Sequence, residues 1–195
     1  MDSDREQPDL KTLAELFYPA GPTVSVDLGR FLRVSAEAMP AAPRELLAHS
    51  NHMTVTMERF HRSLVDVEVL DRRTDGRRYA RKIRLRTRGS ESRPGRVVQF
   101  GIVRLNLDAL DADARDEVVA ERTPLGRVLI EHGVLMTVRL SALWRIEPGP
   151  DLRRVLEMER PTTIYGRTAM IDFSDEPVIE LLEIAASTDP ADHAH

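Results

Sequence analysis

The chain has 195 residues, 42% hydrophobic and 31% charged, a balance that suits one folded domain with a real core and excludes a disordered chain. A net charge of −4 argues against a protein that coats nucleic acid by neutralising phosphates, and the lack of cysteine excludes a disulfide framework and thiolate metal sites. No apolar run approaches the roughly 18–20 residues of a membrane span, and the polar start MDSDREQPDL is no secretory signal, so the expected setting is cytoplasmic.

In chain order, PDLKTLAELFY has the apolar spacing of a short helix and TVSVDLGRFLRVS reads as extended; residues 1–35 are set apart as an N-terminal extension. MPAAPRELLAHSNHMTVTMERFHR predicts two short helices, with Pro43 in a first turn and LLAHSNH forming the end and turn before Met53. Period-two alternation begins at Leu64: Val65, Val67 and Val69 share one face, with Asp66, Glu68 and Leu70 on the other. TDGR is a hairpin turn, answered by RRYARKIRLRTR, where Tyr79, Arg81, Ile83 and Leu85 oppose Arg78, Lys82, Arg84 and Arg86. After GSESRPG comes the strand RVVQFGIVRLNL, so the strands form an antiparallel meander.

DALDADARDEVVAERTPLGRVLIEHG is helical and closed by Gly133, and VLMTVRLSALWRI is another strand. EPGPDLRRVLEMERP is a longer connection with a helical turn. TTIYGRTAMIDF, the turn SDEP and VIELLEIAA make a last hairpin, before a flexible tail over 188–195. The expectation is an α+β domain over 36–187 with about six antiparallel strands.

The usual chemical motifs are missing. His49, His52 and His61 lie close in sequence without HExxH, and DADARDE lacks the glycine of a calcium loop, so no metal is expected. Neither GxGxxG nor GxxxxGK[ST] occurs, so nucleotide binding has no motif support, and there is no GxSxG nucleophile elbow. Trp144, in an apolar strand, reads as core. Two residues break the pattern: Arg81 falls on the apolar face of its strand, and Glu183 shares a face with Ile179 and Leu181. Buried charges need partners. Either the two form a salt bridge, or both line a pocket. RTPLGRVL is similarly double-edged, being a helix started by Pro124 or a set of backbone N–H groups aimed at an anion, with Gly126 permitting close approach.

Taken together, LLAHSNHMTVTMERF, RYARKIRLR, RTPLGRVL and GRTAMIDFSDEPVIELLE resemble, in order and spacing over roughly residues 43–186, the chorismate lyase family. The resemblance implies a six-stranded antiparallel sheet whose ligand lies buried beneath helical flaps. It implies conversion of chorismate to 4-hydroxybenzoate and pyruvate without metal or organic cofactor. It places the ring carboxylate on Arg81 and on the backbone N–H groups of Met53 and Leu125. Glu183 then faces the hydroxyl and enolpyruvyl ether as general acid. Arg167 and Arg153 are candidates for the second substrate carboxylate. The chain departs from the family at Leu182, where threonine is common, and at SDEP, which replaces a glycine-rich turn.

The effector domains of certain transcription regulators are also similar to chorismate lyases. They imply an alternative, a non-catalytic sensor-like protein that binds a small aromatic acid. Residues 1–35 are too few for the winged-helix domain of such regulators, so on this alternative a stand-alone sensor or a degenerate paralogue is expected; the expected state is a monomer or homodimer. A third reading, an interaction module, requires Arg81 and Glu183 merely to bridge each other.

Overall fold

The alternating stretches pair into a single antiparallel sheet in the computed structural model, which describes residues 8–19, 24–89 and 94–187. The expected tail over 188–195 and residues 90–93 of the GSESRPG turn lie outside the described residues. The strands are β1 (Gly29–Val34), β2 (Val65–Asp75), β3 (Arg78–Thr87), β4 (Val97–Asn106), β5 (Met136–Pro148), β6 (Ile164–Phe173) and β7 (Glu176–Ala185), in the order β1-β5-β6-β7-β4-β3-β2. The sheet is open, with β1 and β2 at its edges.

Seven strands replace the six expected. The seventh, β1, falls within TVSVDLGRFLRVS, the stretch read as extended but not counted in the sheet; it pairs only with β5, and its sequence GRFLRV carries two arginines on a half-exposed edge, which dilutes the alternation that marks the others. Turn chemistry accounts for the hairpins. Gly76 takes φ +57° between β2 and β3. Ser174 and Asp175, at φ 47° and 70°, form a two-residue turn of the I′ kind between β6 and β7.

Helices cover both faces. On one, α1 (Leu10–Glu15), started by the Asp9 carboxylate, and α6 (Pro150–Val155) pack Leu13 and Leu152 against Phe100, Ile102, Leu182 and Ile184. On the other, α2 (Ala41–Leu47) and α3 (Met53–His61) cover Ile83, Leu85, Leu143 and Ala185. Beside them α4 (Ala112–Ala120) and α5 (Leu125–Glu131) cover Val103, Leu105, Ile179 and Leu181. The helices on this second face thus gather over two separate apolar clusters. None of the described helices is long and apolar enough to cross a membrane.

Candidate functional site

Between those two clusters the sheet carries three of its buried charges, Arg81, Arg167 and Glu183. Residues i and i+2 of a strand share a face, so the register sets out the floor in rows. One row runs Arg167, Glu183, Gly101, Ile83 across β6, β7, β4 and β3. The next runs Ala169, Leu181, Val103, Arg81. Arg81 and Glu183 therefore stand on the same face, one row apart, with β4 between their strands. There Gly101 contributes no side chain, and above it lies a cavity whose roughly 570 Å³ of empty space is in part open to solvent. Met53, Arg81, Leu125 and Glu183, the four residues singled out from the sequence, all line it, as does Arg167.

Arg81 is 1% exposed. Its Nη1 reaches the Val118 carbonyl only at 3.5 Å, and its Nε is buried with no hydrogen-bond partner. Among the described residues no carboxylate lies within ion-pair distance of it. Burial pulls its pKa down, and nearby Tyr79 and Glu121 only partly oppose this. Glu121 is itself engaged, accepting from the Tyr79 hydroxyl at 2.6 Å and pairing with Arg72 at 3.3 Å. Burial first, then that bond to Glu121, pushes the Tyr79 phenol up to about 12. The guanidinium of Arg81 is thus a desolvated cation on a cavity wall with no counter-charge in contact.

Glu183, 7% exposed, does not bridge to Arg81. It accepts from Arg167 Nε at 2.7 Å. The rest of the Arg167 fork donates to the carbonyls of His49 at 2.8 Å and Asn51 at 3.2 Å, and Nη1 lies 3.2 Å from His49 Nδ1. One arginine thereby ties the acid on the floor to the turn between α2 and α3. Arg153, the other candidate for a second carboxylate, sits on α6 across the sheet and does not line the cavity.

Burial holds His49 below the ordinary histidine value, with Arg167 adding to the shift. For His52 burial again leads, opposed by Glu183 and assisted by Arg167. The Nδ1 of His49 also accepts from the Asn51 N–H at 3.1 Å, as a neutral ring does. Among the described residues no cluster of three or more metal-ligating side chains occurs.

Both flanking helices begin at the cavity rim, α3 at Met53 and α5 at Leu125. Their caps, His52 and Pro124, supply no side-chain hydrogen bond, which leaves the first N–H groups without a capping acceptor. A Cβ at Gly126 would lie 2.9 Å from Thr54 Oγ1. The glycine of TPLG thus serves the approach of α5 to α3, and both helix starts sit over the same space because of it.

The departures noted in the sequence fall away from the cavity. Leu182 packs in the core on the opposite face, and Asp175 and Glu176 are exposed at the hairpin end. Trp144 is half-buried, meeting the Phe31 ring edge-on and donating to Thr168 at 3.3 Å. Gln99 also lines the cavity and is not among the residues marked by the sequence patterns. It is a polar residue in the apolar run VVQFGIVRL, two positions before Gly101 and so on the cavity face, and that position was the available signal.

No family model matches the chain, and no curated protein matches it. Among solved structures it is similar to PhnF from Mycobacterium smegmatis, with a TM-score of 0.53 at 10% identity over 70% of this chain and 64% of that one. It also matches the ligand-binding domain of a GntR-family transcriptional regulator from Bordetella bronchiseptica, with a TM-score of 0.44 at 16% identity over 64% of this chain and 86% of that one. The likeness to PhnF is one of fold, and the chain spans less than two thirds of that protein's length.

Proposed function

We propose that the cavity binds a small aromatic monocarboxylic acid, with its carboxylate on Arg81. One observation carries this reading: a buried guanidinium on the cavity wall with an orphaned Nε and no carboxylate in contact. A buried cation is costly to keep unpaired, and a guanidinium fork matches a carboxylate in geometry and charge. The electrostatic sum points the same way. Arg81 and Arg167 against Glu183 leave one positive charge, which a monoanion neutralises. Apolar Val67, Leu85, Val138 and Leu181 line the space and would give the faces of an aromatic ring contact. A non-catalytic binder is the favoured role, since Arg167 pairs with one oxygen of Glu183 and, among the described residues lining the cavity, no second guanidinium lacks a carboxylate partner.

A second reading, a lyase acting on chorismate, is favoured by one specific feature: Glu183 shares the cavity with Arg81. In that reaction the ring C–O bond to the enolpyruvyl group breaks and the C4 hydrogen leaves as a proton. The electron pair from that C–H bond completes the aromatic ring. The departing enolpyruvyl oxygen carries off the C–O pair, and a proton delivered to this fragment gives pyruvate. Glu183, which the resemblance assigns to that delivery, would act through the carboxylate oxygen that Arg167 does not engage.

One experiment separates the two. The purified protein is mixed with chorismate while 4-hydroxybenzoate and pyruvate are followed together, and its melting temperature is read with each acid. A binder shows a raised melting temperature with 4-hydroxybenzoate and no product above the spontaneous rate. Equal amounts of both products formed above that rate replace the binder with the lyase. No shift and no product overturn both.

A further inference from the structure

We infer that Gln99 selects ligands bearing a ring hydroxyl, so that the cavity discriminates hydroxylated aromatic acids from the unsubstituted acid; this rests on the aromatic-acid reading above. Gln99 is 3% exposed and lines the cavity, yet its Oε1 is buried without a partner. Among the described residues its side chain makes no hydrogen bond at all. Whichever way round the amide stands, a buried polar atom is left unsatisfied, which is unfavourable. A buried primary amide kept in this condition against a cavity is a half-made hydrogen bond.

Its place in the rows says where the missing half comes from. On β4, Gln99, Gly101 and Val103 follow one another along the floor, and Arg81 stands opposite Val103. Gln99 is thus four residues along the strand from the row of Arg81, roughly 13 Å of backbone rise, and the two long side chains shorten that gap. A ring anchored by its carboxylate at Arg81 and lying over Gly101 presents its far edge to Gln99 and to Glu183.

Charge decides what that edge carries. A second carboxylate would need a cation, and Arg167 is already bound to Glu183 and to two carbonyls. An ammonium would meet two guanidiniums against one carboxylate. A neutral hydroxyl suits the site, since it donates to Oε1 or accepts from Nε2 and adds no charge. Sites that hydrogen-bond a ligand hydroxyl discriminate strongly against the analogue lacking it, because the buried partner is then stranded.

The test is a calorimetric titration of benzoate, 3-hydroxybenzoate and 4-hydroxybenzoate into the wild-type protein and into Gln99→Met, which keeps the length of the side chain. The wild type is expected to bind at least one hydroxybenzoate about tenfold or more tighter than benzoate. Gln99→Met is expected to lose most of that advantage while benzoate affinity stays within about twofold. Benzoate and both hydroxybenzoates binding the wild type alike would overturn the inference without any variant. So would a Gln99→Met protein that folds and keeps the full preference, or one that weakens all three acids equally. If none of the three binds the wild type, the aromatic-acid reading falls and this inference with it.

Discussion

Arg81 shows how a single residue separates stability from function. Its guanidinium is desolvated with no counter-charge in contact, so the folded protein carries a cost that a bound anion would remove. Replacement by methionine is expected to leave unfolding free energy unchanged or raise it by about 1–4 kcal/mol, read by urea denaturation. A loss of more than about 2 kcal/mol would show that its weak bond to Val118 matters structurally. The two histidines beside Arg167 make a pH prediction. Both are held below their ordinary value, so the unfolded chain takes up their protons more readily than the folded one. Stability is therefore expected to fall as pH drops from about 7.5 to about 5.5, developing below the ordinary histidine value and levelling once the lowered values are passed. His132, raised by Glu117, works in the opposite sense, its contribution being lost as pH rises. Glu68 and Asp151 add losses only below the ordinary carboxylate range. A His49→Asn/His52→Gln variant is expected to show a shallower decline in melting temperature; an unchanged slope would assign it to other groups.

At the scale of elements, two junctions hold the roof of the cavity. The first is Arg167, which joins Glu183 on β7 to the carbonyls of His49 and Asn51 in the turn between α2 and α3. Arg167→Met strands a buried carboxylate and unties that turn, so a loss of about 3–5 kcal/mol is expected. Faster amide exchange over residues 48–52 should accompany it. Adding Glu183→Leu should recover much of the lost stability, because no uncompensated charge then remains, but not the protection of the turn. Recovery of both would show that the carbonyl bonds contribute nothing to holding it. The second junction is Gly126 against Thr54. Gly126→Ala brings a methyl group to 2.9 Å from Thr54 Oγ1 and must push α5 away from α3. A destabilisation of about 1–3 kcal/mol is expected, whereas Ala at an ordinary helical position would stabilise.

For the molecule as a whole, what could be read from the sequence followed from how local the signal was. The alternation of Val65, Val67 and Val69 and the TDGR turn lie within one hairpin, and both elements form where they were expected. Strand β1 was indistinct because an edge strand needs no clean alternation. The identity of Glu183's partner was illegible for a different reason. The buried acid and the buried Arg81 each announced themselves by breaking a pattern, but Arg167 lies in a stretch whose two faces are both buried, where the pattern has nothing to break. Only the sheet register brings Arg167 beside Glu183 and leaves Arg81 with no carboxylate in contact among the described residues. Register, the cation without a carboxylate partner and the ligand class all meet at Arg81. The most direct test is a calorimetric titration of 4-hydroxybenzoate into the wild-type protein and into Arg81→Met. Saturable binding to the wild type, weakened about a hundredfold or more in the variant, is the expected result. Equal affinity in the two proteins, or no binding to the wild type, would contradict a carboxylate site built on Arg81.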